Sequence, residues 1–292
     1  MRTLRGRGVV CAITSGMACV HYGIAETTKD CDLLCHTASF QTLLELLEET
    51  KISGQSCHYR GNISPPLDAR WHRGGWTSHF QWDSTPDVTT LDVFGHALRE
   101  SSPWRDDISG LYAGQHVVAQ MKRTDRDKDW PFITSLGVEM LRARDARGWL
   151  HLFSAETILE MQKEYALPAE IVSLRPALQL AARRDAPLHQ ALLAEHQFWK
   201  ELDRLRIRIL RAALKPFVLA MGKTSLPNNA SLGEQHAIRL AVAEASLEKN
   251  PVAKFGVARM IEDALSATAT FVNPQLIQWL PDVTGHFRFL TQ

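Results

Sequence analysis

Thr14-Ser15-Gly16, thirteen further residues, then Asp30-Cys31-Asp32, and later Thr90-Leu91-Asp92-Val93-Phe94, form the stretch whose reading decides how this chain folds. In a β-strand residues i and i+2 face the same side, so Asp30 and Asp32 on a strand present two carboxylates side by side. Parallel carboxylates repel unless a cation sits between them. A hard divalent ion such as Mg²⁺ takes one or two carboxylates together with substrate phosphates. Cys31, Leu33 and Leu34 are apolar, which suits a buried strand whose polar pair emerges near one edge.

The segment upstream supplies the complementary half. Val9-Val10-Cys11-Ala12-Ile13 reads as a short buried strand that ends at Ser15-Gly16 and turns into a helix from Met17. Strand, small-residue turn and helix make an anion-binding layout, because unpaired backbone N–H groups point outward and Gly lets phosphate oxygens approach. The Ser15 hydroxyl adds a donor. Residues 1–8 are basic and read as a lead-in without a helix. Asp92 is the sharpest element, since Leu91, Val93 and Phe94 bury its neighbours and a carboxylate on a buried strand needs a partner or a metal.

These residues resemble the nucleotidyltransferases of the DNA polymerase β type, within them the small prokaryotic branch that includes abortive-infection toxins and antibiotic-modifying enzymes. The pattern there is a Gly-Gly or Gly-Ser pair, about a dozen residues, Asp-x-Asp, and a later lone Asp on a neighbouring strand. Ser15-Gly16, Asp30, Asp32 and Asp92 match it, and Thr27-Thr28-Lys29 precedes the pair as a polar run does in that branch. Lys122-Arg123-Thr124-Asp125-Arg126-Asp127-Lys128-Asp129 is similar to the segment that closes the catalytic domain. Ser15 stands where the first Gly is usual, losing backbone freedom if φ is positive there.

The resemblance covers about residues 8–140 and implies an α/β (α+β) fold, a mixed sheet with covering helices. Residues 1–148 are then a catalytic domain and 149–292 a helical one. It also implies transfer of a nucleoside monophosphate from an NTP, ATP being expected, to an acceptor. Asp30, Asp32 and Asp92 would hold Mg²⁺ or Mn²⁺, with Asp92 also helping to deprotonate the acceptor. Ser15, Gly16, Thr28, Lys29 and Lys122 would hold the nucleotide. The acceptor is open among a small molecule, RNA and protein. Two other readings stand beside this one: a nucleotide- or partner-binding module without chemistry, and the toxin component of a toxin–antitoxin pair, with a cognate antitoxin as partner.

Composition sets outer limits. A chain of 292 residues, 45% hydrophobic, can bury a large core, and its net charge of +1 provides no global field to recruit nucleic acid. The five cysteines lack Cys-x-x-Cys spacing and read as buried thiols of a cytoplasmic protein. No targeting or membrane-spanning segment is legible, so no membrane partner is expected.

Between the Asp-x-Asp and Asp92 strands, Phe40, Leu43, Leu44, Leu46 and Leu47 mark an amphipathic helix over residues 40–50. Residues 76–82 alternate as a strand with Trp76, Phe80 and Trp82 on one core-facing side. His58, His72, His79 and His96 lack zinc spacing, although one of them in the cleft would respond to acceptor binding. Arg70 and Arg73 lie in an irregular stretch, where solvated surface competes with a loop gripping substrate.

From about residue 150 strand signals fade. Helices are expected over residues 155–165, 175–184, 187–221, 231–248 and 251–269, with Ser231 and Glu234 forming a capping box. Arg204, Arg208, Arg211 and Lys215 fall on one helical face, a solvated surface or a receiver of phosphates.

Overall fold

Alternating burial along two six-residue strands builds the centre of the molecule. The computed structural model describes residues 1–28, 30–84, 87–100, 108–183, 187–227 and 229–290. Its strands are β1 Cys11–Thr14, β2 Cys31–Cys35, β3 Lys51–Ile52, β4 Gln55–Ser56, β5 His58–Tyr59, β6 Thr77–Trp82, β7 Thr89–Phe94, β8 Ile108–Ser109 and β9 Tyr112–Ala113. Seven of them form one mixed sheet in the order β5-β6-β7-β2-β1-β9-β8, and β3 with β4 forms a separate pair. The central β2 runs antiparallel to β1 and parallel to β7.

On β6, Ser78, Phe80 and Trp82 are buried while Thr77, His79 and Gln81 are half-buried, the period of two expected of a sheet with one face on a core. That core face meets the helix Phe40–Glu49, which buries Phe40, Leu43, Leu44, Leu46 and Leu47 against Leu33, Cys35, Phe80, Leu91 and Val93. Each such side chain contributes about 1.5–3 kcal/mol before the entropy of ordering is counted.

The opposite face behaves differently along its length. Leu34 and Phe94 pack into the larger core, which draws on residues from Ala12 to Leu290 and so joins positions on both sides of residue 148. One step back along the same two strands lie Asp32 and Asp92. The apolar core therefore stops where the carboxylates begin.

The fold is thus α/β with a mixed sheet and a helical C-terminal part. Several local expectations are corrected. Residues Arg2–Gly6 form a short helix, none of whose side chains is buried. The first strand begins at Cys11, because the Val9 N–H bonds to Leu4 O and the Val10 N–H to the Ser39 side chain instead of joining a ladder. Asp30 lies just before β2, so only Asp32 of the pair is in the strand. Trp76 precedes β6 and packs with Trp71, Phe217 and Met221, its Nε1 donating to Glu248 O at 2.9 Å, so it joins the helical half and not the face of Phe80 and Trp82.

In the C-terminal part the helices are Ala155–Met161, Ala169–Leu174, Leu178–Arg183, Leu188–Lys223, Leu232–Ser246, Pro251–Phe255 and Val257–Ala269. The expected single helix over residues 251–269 is split by Gly256, whose φ of 101° no helix continues through. Ser231 and Glu234 make both bonds of the capping box. Arg184, Asp185 and Ala186 lie outside the described residues. Among the described residues no helix is long and apolar enough to cross a membrane.

Candidate functional site

The site begins where β1 ends. Thr14 is buried and its Oγ1 donates to Met121 Sδ at 3.3 Å, tying the strand end to the helix Gln115–Met121. Ser15 then takes φ +54°, the left-handed region, and the helix Ser15–His21 starts at once. The conformation that a Gly would adopt freely is here imposed on Ser, at a cost of about 1–2 kcal/mol.

Gly16 is required for a different reason. A Cβ there would lie 2.4 Å from Thr28 Oγ1 and 3.0 Å from Thr28 Cβ. Thr28 thus closes directly over the turn, which brings the run ahead of Asp30 onto Ser15-Gly16. Gly16→Ala is expected to destabilise the fold by about 1–3 kcal/mol through overpacking, and adding Thr28→Gly should recover most of it. Urea unfolding of the two single variants and the double variant measures this; equal losses in Gly16→Ala and the double variant would mean that Thr28 is not the obstacle.

Asp32 and Asp92 are register partners on the parallel pair of β2 and β7, and Thr14 is opposite Asp32 on β1. Burial at the rim of the core pushes the Asp32 carboxyl up to about 6; a hydrogen bond from Ser15 opposes the rise, Asp92 and Asp30 add to it, and Lys122 opposes it. Asp92 Oδ1 lies 2.7 Å from His79 Nδ1 and 3.2 Å from an Arg60 guanidinium nitrogen. Asp30 is exposed at the mouth.

Opposite the carboxylates stands a cationic wall. Lys122 follows the helix Gln115–Met121, is buried, and places Nζ 3.3 Å from Asp129 Oδ1 and 5.2 Å from the centre of the Phe132 ring. Asp129 also accepts from Thr124 Oγ1 at 2.9 Å and pairs with Arg126 at 2.7 Å, so one carboxylate gathers the whole loop. Arg206 reaches the same cleft from the long helix, held by Asp203 at 3.0 Å.

The cleft between these walls has a volume of about 640 Å³, within the range of small-molecule sites. Of the residues singled out from the sequence, Ser15, Gly16, Thr28, Asp30, Asp32, Asp92 and Lys122 all line it. Lys29 lies outside the described residues. Arg70 and Arg73 do not line the cleft; Arg70 pairs with Asp68 and Glu244 instead. Nor does the expected cationic stripe: Arg204 pairs with Glu201, and Arg208 borders a mainly apolar groove of about 950 Å³ elsewhere.

Sequence reasoning missed Arg206 and Arg60, and it marked Asp129 only as part of the segment Lys122 to Asp129 without a role of its own. Arg206 falls between Arg204 and Arg208 in sequence but about 200° round the helix from each, on the face opposite the stripe, and only the docking of the long helix brings it to the cleft. His79 stood out only as one histidine of a cluster; it is the one opposite Asp92.

The donor set is all oxygen, and two of its carboxylates sit on neighbouring strands with one of them strained towards the protonated form. Such a pair suits a hard divalent cation, which commonly takes one or two carboxylates and completes its shell with phosphate and water. Among the described residues no three His, Cys, Asp or Glu side chains are gathered closely enough to enclose an ion by themselves.

No family model matches the chain, and no curated protein matches it.

Proposed function

We propose that the chain is a divalent-metal-dependent nucleotidyltransferase, moving a nucleoside monophosphate from an NTP to an acceptor. The observation that carries this reading is the placement of Asp32 and Asp92 in register on adjacent parallel strands, facing Lys122, Arg126, Lys128 and Arg206 across one cleft. A triphosphate with a cation fits that polarity: negative oxygens towards the cationic wall, the metal side towards the carboxylates.

In this reading Asp32 and Asp92 hold Mg²⁺, with Asp30 at the mouth. The ion, when bound, supplies charge neutralisation at the reacting phosphate and at the leaving oxygen. Ser15 and the backbone at Gly16 bind the terminal phosphates, and Thr28 shields them. Lys122 and Arg206 stabilise the negative charge that grows on pyrophosphate as it departs. Phe94, Leu98 and Phe132 offer the apolar surface on which a base can lie. An acceptor oxygen bonds to the α-phosphorus, the bond to the bridging oxygen of pyrophosphate breaks, and the acceptor proton passes to the Asp92 carboxylate.

Calorimetric titration with Mg²⁺ and ATP tests the first half of this reading, and incubation with each labelled NTP and cell extract tests the second. Metal-dependent nucleotide binding is expected, followed by a labelled product formed by the native chain and not by Asp32→Asn or Asp92→Asn. A chain that binds no NTP in the presence of Mg²⁺, or a product that survives both substitutions, would sink it.

A further inference from the structure

Three successive strands converge on one oxygen of Asp92. His79 lies directly across from Asp92 in the antiparallel pair of β6 and β7. Arg60 follows β5, and its N–H bonds to His79 O at 2.9 Å, extending the ladder by one step. The side chains then meet: His79 Nδ1 is 2.7 Å from Asp92 Oδ1, and an Arg60 guanidinium nitrogen is 3.2 Å from the same oxygen and 3.0 Å from His79 Nδ1.

These distances define the roles. A lone pair on Nδ1 at 2.7 Å from a carboxylate oxygen would be repelled, so Nδ1 carries its hydrogen and donates it to Asp92. Arg60, with a guanidinium nitrogen 3.0 Å from the same Nδ1, is held to Oδ1 by charge at 3.2 Å. An Arg that merely neutralised Asp92 would be expected to take both oxygens in a fork. Here the His79 hydrogen bond and the Arg60 ion pair both fall on Oδ1, and among the described residues no hydrogen bond falls on Oδ2. Neither residue is a core strut, since their side chains are 32% and 23% exposed.

We infer that Arg60 and His79 are positioning residues for Asp92: together they pin its carboxylate through Oδ1 and leave Oδ2 as the ligand atom for the divalent cation shared with Asp32. The inference rests on the metal site proposed above. Its physical basis is preorganisation, because a carboxylate held by outer partners loses no rotational freedom when it takes up an ion, and removing such partners commonly weakens metal binding 10–100-fold.

The probe is Mn²⁺ alone, titrated into the full chain without nucleotide and read by electron paramagnetic resonance, with thermal melts on every variant. His79→Leu and Arg60→Met should each weaken Mn²⁺ binding about 10-fold or more. His79→Asn keeps an N–H donor near the Nδ1 position and should restore most of the affinity, a rescue that a purely structural role for His79 would not produce. Arg60 is at the open edge of the sheet, so its variant reports even where a change at His79 impairs folding. Native affinity in both Arg60→Met and His79→Leu, alongside loss of binding in Asp32→Asn, overturns the positioning role and leaves the metal site standing. Absence of Mn²⁺ binding to the native chain overturns the metal site and the positioning role together.

Discussion

At pH 7 the Asp32→Asn variant is expected to be more stable than the native chain by about 2 kcal/mol, and to lose its response to Mg²⁺. Burial raises the Asp32 carboxyl to about 6, roughly two units above its usual value, and each unit corresponds to about 1.4 kcal/mol of preference for the neutral form. Partial exposure of the side chain trims that figure. The sign follows from linkage: a group raised on folding is most favourable to the native state when protonated, so its stability contribution is intact below about pH 4 and is lost as pH rises through about 6. The amide of Asn keeps an acceptor for Ser15 and carries no charge. The gap between variant and native chain should therefore be small at pH 4 and grow through pH 6, as read by urea midpoints across that range. Mg²⁺ should close the gap in the native chain from the other side, with an affinity that rises between pH 5 and 7 as the proton leaves. A variant less stable than the native chain at pH 7 would mean that Asp32 is a structural carboxylate.

Asp203→Ala is expected to cost about 3–5 kcal/mol, the largest loss available from a single side chain in the cleft's support. The Asp203 side chain is fully buried and receives Arg99 at 3.3 Å, Arg206 at 3.0 Å and the Asp125 N–H at 3.0 Å. Arg99 is itself buried in a left-handed conformation with φ +68°, so the carboxylate also holds a strained turn in place. Its removal leaves the buried Arg99 without its carboxylate and releases both Arg206 and the loop that carries Lys122 to Asp129. Burial alone would raise the Asp203 carboxyl; Arg206 and Arg99 outweigh it and hold the group below its ordinary value. The contribution is thus present above about pH 4 and fades as pH falls below it. Guanidinium unfolding at pH 7 and pH 3 should show a large difference between native and variant chains at the first and a reduced one at the second. Equal stability at pH 7 would show that the network is not a fold determinant.

Much of the sheet was legible because its signals are local. The five apolar positions of the helix Phe40–Glu49 are the five that are buried, and the alternation along β6 and β7 reads directly as inside and outside. Where expectation and structure part, the deciding contact is remote. Period places Trp76 on the face of Phe80, yet its indole donates to Glu248 O, some 170 positions away. Arg70 was a free cation in a loop by sequence, and it is tied to Glu244. The helix over residues 251–269 broke at Gly256 because a glycine inside a helical pattern carries two meanings, tolerated defect or stop, and only packing selects one.

The same division runs through the candidate site. Residue type and spacing by themselves determined that Ser15-Gly16 forms a turn at a strand end and that Asp32 and Asp92 lie on strands, because backbone geometry acts over two or three residues. That Asp32 is opposite Asp92, that Thr28 closes on Gly16, and that Arg60, His79 and Arg206 join them was decided by tertiary structure alone. Strand register and helix docking are set by how the apolar faces fit together, and that fit sums contributions from the whole chain.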